Sequence, residues 1–284
     1  MPLVGMLDVL QPAMEKGYAV GAFNADNLEM VQAFIRAAEI DRSPLILQVS
    51  QGAIMYAGFE ETSRVATFMA ERSDVPVVVH LDHGKDYPQN VQALRFGVSS
   101  LGVDTSMLPY DENVSVSKRV ADLAHSVGLQ SEAGIGYVPA HDEGLSAAEV
   151  ELAMTDPIKA EKFVSETGAD FIAVALGSMR SMRKREITLD IDRLKELRKR
   201  ISIPFVLHGS SGVLWKSIQE AIQLGIAKVN LAACFDRRFV EVLRQELGQD
   251  QEGFNFRRFL APAREAVFEL AREQYRLLGS SQQV

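Results

Sequence analysis

The chain has only one cysteine, Cys234, among its 284 residues, so no disulfide can form within it. A lone cysteine is typical of proteins from a reducing compartment. No apolar run comes near the ~20 residues that a membrane-spanning helix needs, and the first residues lack the basic start and apolar core of a signal peptide. We therefore expect a soluble, cytoplasmic protein with no membrane partner.

A surplus of positive charge is also absent. Lysine and arginine number 30 against 38 acidic residues, which gives a formal charge of −8, and there is no basic tail. Nucleic acid is therefore not an expected partner. No repeat, low-complexity tract or Pro/Gly/Ser linker divides the chain, and 47% of its residues are hydrophobic. These features predict one domain over residues 1–284 with a large core.

The sequence does contain a regular alternation of two patterns. Short β-branched apolar runs at eight places are typical of buried strands, and segments between them, such as 28–40, 112–126 and 191–200, have helical periodicity. The predicted fold is a (β/α)8 TIM barrel with a C-terminal helical extension. The competing architecture, a doubly wound open sheet, would place G-x-G-x-x-G after the first strand, and "VGAFNADN" lacks it. The predicted strands cover residues 18–24, 44–50, 75–83, 100–105, 129–135, 171–177, 203–209 and 227–232.

Polar side chains stand near the ends of most predicted strands. In a (β/α)8 barrel the carboxyl ends of the strands meet at one mouth, where active sites lie. The alternative interpretation is that polar residues simply mark where each strand stops. We favour a shared site because the pattern recurs along the whole chain and includes two histidines. The residues concerned are Asn24, Ser50, Asp82, His83, Asp104, Glu132, His208 and Asn230.

The stretch "HLDHG", residues 80–84, places two histidines and one aspartate within four positions. While the strand stays extended, alternation places His80 and Asp82 on one side and His83 on the other. Imidazole is a good zinc ligand, and a nearby carboxylate can transfer protons. Of the five histidines, only His208 ends another predicted strand. A metal site with two histidines is therefore one interpretation, and histidines with purely structural roles are the other.

Several motifs together make the chain resemble the class II ketose-bisphosphate aldolases, a zinc-dependent family that includes fructose- and tagatose-bisphosphate aldolases. The resemblance spans nearly the whole chain, through "GAFNADNLEMVQAFIRAAE", "HLDHG", "VLHGSSG", "GIAKVN" and "FLAPAREAV". It implies a TIM barrel that cleaves or forms a carbon–carbon bond in a ketose phosphate. It also implies a homodimer or homotetramer.

The resemblance implies roles for the residues near the predicted metal. Asp82 corresponds to the aspartate that handles the hydroxyl proton next to the breaking carbon–carbon bond. His83 and His208 correspond to two of the family's three zinc-binding histidines. Asp104 and Glu132 correspond to carboxylates near the metal and are possible auxiliary ligands.

It also implies how a substrate would be held. Gly209, Ser211 and Asn230 correspond to the loops that bind a substrate phosphate through backbone amides and small side chains. Asn24 and Ser50 correspond to positions lining the sugar pocket. The expected partner is therefore a small anionic sugar.

The metal site departs from the family pattern. The resemblance implies a third zinc histidine followed by glycine after the sixth strand, where this chain has Arg180 and Ser181. Arginine has no free lone pair and cannot ligate zinc, so we expect metal use to be weakened or lost. The resemblance also implies a second glutamate where this chain has Gly134. It further implies a threonine, often preceded by aspartate, where this chain has Ala232 and Ala233.

Two further residues are candidates for catalysis. Asp142 stands where the resemblance implies a mobile-loop glutamate that acts as acid or base. Arg180 would serve as an electrophile or an anion clamp, as preorganised donors do elsewhere. The alternatives are that Arg180 points to solvent with its neighbouring cations, or that all four bind an anion together. Those neighbours are Arg183, Lys184 and Arg185.

The leading hypothesis is thus a class II aldolase-like lyase that acts on a phosphorylated or otherwise anionic ketose. One alternative is a non-catalytic homologue that binds a sugar phosphate as a regulatory or structural subunit. A third hypothesis is an enzyme that stops at proton transfer. Whether zinc is the cofactor stays open at this point, because one histidine ligand is missing.

Overall fold

Residues 2–284, which a computed structural model describes, fold around one eight-stranded sheet. The strands are β1 (Val20–Asn24), β2 (Leu45–Val49), β3 (Val77–Leu81), β4 (Leu101–Val103), β5 (Ser131–Ile135), β6 (Phe171–Val174), β7 (Phe205–Leu207) and β8 (Ile226–Leu231). Their order is β3-β2-β1-β8-β7-β6-β5-β4, and every paired neighbour is parallel. Parallel bridges between His80 and Ser100 and between Gly84 and Val103 join the two outer strands. The predicted (β/α)8 barrel is confirmed, and all eight predicted strands are present.

Helices surround this sheet and follow the predicted periodicity closely. Three predicted segments correspond to α2, α6 and α9 with ends that agree within two residues. Asn27 caps α2 by accepting a hydrogen bond from the Met30 amide, which sets where that helix begins. The helices are α1 (Leu7–Lys16), α2 (Leu28–Asp41), α3 (Gln51–Ala57), α4 (Phe59–Ala70), α5 (Tyr87–Arg95), α6 (Tyr110–Ser126), α7 (Ala147–Ala153), α8 (Pro157–Thr167), α9 (Ile191–Arg200), α10 (Trp215–Ile222), α11 (Ala233–Gln249) and α12 (Phe256–Leu278).

The seam between β3 and β4 depends on a glycine. A Cβ atom at Gly102 would collide with the carbonyl oxygen of Leu81 and come within 2.9 Å of the His80 ring. Only a residue without a side chain allows so close an approach of the two strands. At the same seam the Leu81 amide donates to the Ser100 carbonyl. Gly102 therefore lets the barrel close next to the residues that carry the predicted chemistry.

The interior of the barrel changes from apolar to polar along its axis. Near the start of the strands, Val78 and Phe171 belong to an apolar cluster against which α1 packs with Met6 and Leu10. The first helix therefore closes the end opposite the mouth. Beyond this layer the interior side chains become polar, beginning with the fully buried His80. The carboxyl ends of the strands are thus left as the open, polar face.

The C-terminal helix packs on its own barrel. α12 contacts α2 and α11, and the fully buried Tyr275 donates its hydroxyl hydrogen bond to the Phe34 carbonyl. The predicted helical extension is confirmed. Within residues 2–284, no helix has the length and apolar composition that crossing a bilayer requires.

Candidate active site

The end of β3 delivers three functional side chains to the mouth. His80 and Asp82 continue the inward-facing series that begins at Val78, while Leu81 packs outward against the helices. β3 stops at Leu81, and His83 has a left-handed backbone with φ of 50°. This conformation is uncommon for a residue with a side chain, and strain of this kind concentrates at functional sites. The break in alternation is what brings His83 round to the same side as Asp82.

Asp82, His83 and His208 converge at this mouth. One ligand atom from each lies within 4.8 Å of the other two. His83 Nε2 is 3.8 Å from Asp82 Oδ2, and the two imidazole rings have centroids 4.5 Å apart. The three residues line a cleft of about 630 Å³. Residues 126 positions apart in the sequence are therefore neighbours, as the barrel prediction requires.

Two carboxylates stand behind the histidines and fix their orientation. Asp104 Oδ2 lies 2.7 Å from His83 Nδ1, and Glu132 Oε1 lies 3.1 Å from His208 Nε2. These contacts leave His83 Nε2 and His208 Nδ1 for another partner. Carboxylates in this position commonly set the tautomer and raise the basicity of metal-binding histidines. Asp104 and Glu132 are thus arranged as supports for the histidines.

Neighbouring charges favour the charged forms of His83 and Asp82. Burial alone would lower the pKa of His83, but Asp82 and Asp104 outweigh it and raise that pKa to about 9. Burial alone would likewise raise the pKa of Asp82, but His83 and Lys228 outweigh it and hold that pKa below its usual value. Without a bound cation, His83 therefore carries positive charge between two carboxylates. A metal ion at this place would replace that proton.

A fully buried ionic network lies beneath the mouth. Lys228 Nζ is 2.6 Å from Glu132 Oε2 and 3.9 Å from Asp82 Oδ1. His80 Nδ1 is 2.9 Å from Ser100 Oγ, and its Nε2 is 3.3 Å from Glu132 Oε2. His80, Asp82 and Glu132 form a second group of possible metal ligands, but the Lys228 ammonium already supplies a positive charge there. This network is therefore structural support for the residues above it.

The sequence reasoning missed Lys228 and the role of His80. The available signal was a lysine in the middle of the apolar strand "GIAKVN", since a charge at such a position must be paired. Its partner could not be read from the sequence because Glu132 lies on β5, 96 residues away.

Arg180, which stands where the sequence comparison led us to expect a third histidine, lies on the rim of the cleft. Arg180 Nε donates to the Val138 carbonyl at 3.0 Å, and Nη2 lies 3.4 Å from Glu143 Oε1. The Arg180 side chain is 43% exposed and lines both the main cleft and a neighbouring cavity of about 280 Å³, together with His83 and His208. Arg180 thus faces the cleft but does not belong to the group of possible metal ligands.

The cations that follow Arg180 do not form one anion site with it. Arg185 stacks on Trp215 and donates to the Ser210 and Val213 carbonyls. Arg183 and Lys184 line a separate surface depression together with Asp142. The structure therefore separates the four charges that the sequence places within six residues.

The predicted loop acid/base, Asp142, lies outside the main cleft. It is exposed in the 3₁₀ turn His141–Glu143, whereas the adjacent Glu143 contacts Arg180 and accepts from the Ala140 amide. Contact between Asp142 and a molecule in the cleft would therefore require this turn to move.

The five predicted substrate-binding residues do line the main cleft. Asn230 Nδ2 donates to Asp82 Oδ1 at 3.2 Å, which links the substrate positions to the catalytic candidate. The buried Ser211 Oγ and Asn230 Oδ1 have no hydrogen-bond partner within residues 2–284. Buried polar atoms without partners are costly unless a ligand or water satisfies them. The residues gathered here are Asn24, Ser50, Gly209, Ser211 and Asn230.

Gly134, where the resemblance led us to expect a second glutamate, lines a cavity beside His83. A Cβ atom at Gly134 would lie 3.1 Å from Asp104 Oδ1, so a side chain here would press on Asp104. Gly134 instead lines the cavity of about 280 Å³. The absent carboxylate therefore corresponds to open space beside the histidine pair.

The donor set at the mouth fits a zinc ion. One type of catalytic zinc site uses two histidines and one carboxylate, with bonds of about 2.0–2.2 Å. His83, His208 and Asp82 supply these donor types, with ligand atoms within 4.8 Å of one another and His83 Nε2 3.8 Å from Asp82 Oδ2. The residues present are therefore compatible with a zinc ion held by His83 and His208.

Comparison with known proteins gives a consistent family assignment. The family model "Fructose-bisphosphate aldolase class-II" matches residues 4–283. Fructose-bisphosphate aldolase from Thermus caldophilus is 37% identical over 98% of both chains. The fructose-bisphosphate aldolase of Staphylococcus aureus strain Mu50 is 36% identical over 99% of both.

Solved structures agree with the sequence matches. The crystal structure of the YdjI aldolase from Escherichia coli K12 superposes with a TM-score of 0.84 at 32% identity, covering 99% of each chain. The similarity thus extends over the whole barrel, including every strand that contributes to the mouth. The chain belongs to the class II fructose-bisphosphate aldolase family.

Proposed function

We propose that this protein catalyses the reversible aldol cleavage of a phosphorylated or otherwise anionic ketose. The observation that carries the proposal is the convergence of Asp82, His83 and His208, from β3 and β7, on one cleft. A proton-transferring carboxylate beside a pair of histidines is what an aldol cleavage needs, because a hydroxyl proton must leave while a carbonyl is polarised.

His83 and His208 would hold the zinc ion, and Asp82 would lie beside it as the proton acceptor. Bound zinc supplies Lewis-acid polarisation of the substrate carbonyl. Asp104 and Glu132 support this role because they engage one nitrogen of each ring and leave His83 Nε2 and His208 Nδ1 available. The buried Lys228 holds Glu132 in place from below.

Asp82 would accept the hydroxyl proton as the carbon–carbon bond breaks. Its Oδ1 is engaged by Asn230 and lies near Lys228, whereas Oδ2 lies on the His83 side. The proton moves to Oδ2, the hydroxyl carbon becomes the aldehyde carbonyl, and the electron pair of the broken bond remains on the ketone fragment. The reverse steps return the proton when the bond forms.

Substrate anions would be held next to these residues, in the same cleft. Gly209, Ser211 and Asn230 are proposed to bind a phosphate, and the unpartnered Ser211 Oγ supports this role. Arg180 would act as an anion clamp. Its Nε and Nη2 contact Val138 and Glu143, while its Nη1 has no protein acceptor within residues 2–284.

Asp142 would act as the loop acid/base once the 3₁₀ turn His141–Glu143 moves towards the cleft. Asn24 and Ser50 are proposed to contact the sugar hydroxyls from the ends of β1 and β2. The family's pattern supports both roles, and the cleft lining further supports those of Asn24 and Ser50.

The decisive experiment combines turnover and zinc content in one set of variants. Cleavage of ketose phosphates would be followed by aldehyde release, with zinc measured by elemental mass spectrometry. Asp82→Asn should lower kcat/KM by about 10²–10⁴ while zinc is retained. His208→Ala should lose both turnover and bound zinc. The exposed Asp192→Asn should change neither turnover nor zinc content. Full activity in Asp82→Asn would overturn the assignment.

The same assay separates this proposal from a non-catalytic homologue. A binding subunit would take up a ketose phosphate without releasing aldehyde under any metal condition. An enzyme that only transfers protons would instead incorporate solvent deuterium into the ketose without cleavage. Neither outcome is expected from a cleft in which Asp82 faces the histidine pair.

A further inference from the structure

Two carboxyl groups that the catalytic proposal does not use line the same cleft. Asp26 follows β1, and Asp236 lies in the first turn of α11. Burial and, to a smaller extent, the charge of Asp236 raise the pKa of Asp26 to about 6, although hydrogen bonds with Ser50 and Asn24 oppose the shift. The two carboxyls are therefore close enough to repel each other within one part of the cleft.

Among the residues that the structure describes, no lysine or arginine side chain stands between these two carboxyls in the cleft lining. Of the cleft-lining side chains within residues 2–284, Arg180 is the one arginine or lysine, and it is held by Val138 and Glu143 on the rim. Arg237 follows Asp236 in sequence, but its guanidinium donates to the Arg183 and Ala233 carbonyls and does not line the cleft. Burial raises the pKa of Asp236 and the charge of Arg237 opposes that shift, but Arg237 acts from outside the cleft, so the two carboxyls have no cationic neighbour in the described part of the lining.

Neutral hydrogen-bonding groups stand beside the two carboxyls. Gln48 is 1% exposed, lines the cleft, and has an Nε2 without any partner within residues 2–284. It is in register with Asn24 on the adjacent strand. Ser50 Oγ accepts from the Ala53 amide, and the Ser50 hydroxyl hydrogen-bonds Asp26. Amides, hydroxyls and carboxyls together are the groups that hydrogen-bond sugar hydroxyls.

We propose that the region between Asp26 and Asp236 binds an uncharged, hydroxylated terminus of the ketose, so that this protein cleaves a ketose monophosphate in preference to a bisphosphate. The inference rests on the proposed function for the ketose and its single phosphate. A second phosphate would add a dianion next to two carboxyls with no cation beside it, which disfavours binding. A terminal hydroxyl could instead donate to either carboxylate and accept from Gln48.

The experiment compares fructose 1-phosphate with fructose 1,6-bisphosphate at pH 8. The wild-type protein should cleave the monophosphate with a kcat/KM at least tenfold higher than the bisphosphate. The double variant Asp26→Asn/Asp236→Asn should raise the ratio of bisphosphate to monophosphate kcat/KM by at least tenfold, and Asp236→Lys should raise it further. Glu246→Gln, which removes a carboxyl from α11 outside the cleft, should leave the ratio unchanged.

Equal use of both sugars by the wild-type protein, or an unchanged ratio in the double variant, would overturn the inference. Absence of any cleavage would count against the proposed function instead. In that case calorimetric binding of the same two sugars decides the selectivity. Tighter binding of the monophosphate that is lost in the double variant would support the inference, and equal or tighter binding of the bisphosphate would refute it.

Discussion

Lys228 and Glu132 form an ion pair inside the barrel, with Nζ 2.6 Å from Oε2 and neither side chain more than 5% exposed. Glu132 is also the group that holds His208, so this pair connects the barrel core to the mouth. Buried ion pairs add little net stability, but removal of one partner leaves the other charge without compensation. The pair is therefore a sensitive point for both stability and the geometry of the site.

Lys228→Met should lower the free energy of unfolding by about 3–5 kcal/mol, because the Glu132 carboxylate would stay buried without a counterion. Urea denaturation at pH 7 measures this change. Lys118→Met, which breaks an exposed pair with Asp122, should cost less than about 1 kcal/mol. The double variant Lys228→Met/Glu132→Gln should recover part of the loss. If Lys228→Met were as stable as the Lys118→Met control, the Lys228–Glu132 pair would not be needed for stability.

Asp104→Asn should weaken zinc binding by about 10- to 100-fold, because His83 Nδ1 would lose the carboxylate that orients it. Competition with a chromophoric chelator gives the affinity, and elemental mass spectrometry after dialysis gives the content. The exposed Asp111→Asn is the matched control. Identical affinity in both variants would refute the supporting role of Asp104, and a wild-type protein that takes up no zinc would refute the donor set itself.

Asp26→Asn should change how stability depends on pH. The pKa of Asp26 is raised by burial and by Asp236 from its usual 3.8 to about 6, so the folded state favours the protonated carboxyl. Its stabilising contribution is complete below about pH 4 and is lost as pH rises through about 6.

Asparagine carries no charge at any pH, so the variant does not lose this stabilising contribution as pH rises. Relative to wild type, Asp26→Asn should therefore gain about 1–2 kcal/mol between pH 4.5 and 7.5, a value reduced for solvent screening in the open cleft. Urea denaturation at the two pH values tests this, with the solvent-exposed Asp192→Asn as control. Parallel pH profiles for wild type and Asp26→Asn would contradict the expectation.

The adjacent residues Asp142 and Glu143 should respond differently to loss of charge. Asp142→Asn should lower kcat at least tenfold with little change in KM, as expected for removal of an acid or base. Glu143→Gln should mainly change KM, because Glu143 contacts Arg180 and the Ala140 amide and so positions the rim. Steady-state kinetics of the two variants on one substrate provides the comparison. The reverse pattern would assign the loop acid/base to Glu143.

The sequence predicted the fold because each strand and helix carries its own local signal. Strands buried on both faces, such as β2 and β3, appear as continuous apolar runs, and α9 shows helical periodicity with a capping Asp190 at its start. Boundaries agreed closely where such caps exist. The barrel then followed from the order of these elements, since parallel strands with intervening helices close in a limited number of ways.

The site was predictable only in part. Polar residues at strand ends predicted that Asp82, His83 and His208 would lie together, because the barrel topology brings all strand ends to one mouth, and in the structure they line one cleft. Side-chain direction beyond the strand end was not encoded in that pattern. Alternation would have turned His83 away from Asp82, and the left-handed backbone at His83 reverses this.

By itself, therefore, the sequence determined the barrel, the family and the residues at its mouth, since these follow from local patterns and from motifs that are continuous in the chain. Only the tertiary structure decided which groups act on one another. The Lys228–Glu132 pair, the engagement of Arg180 by Val138 and the proximity of Asp26 to Asp236 each join distant segments. Such contacts depend on distance and burial in the folded chain, and neither quantity is written in the order of the residues.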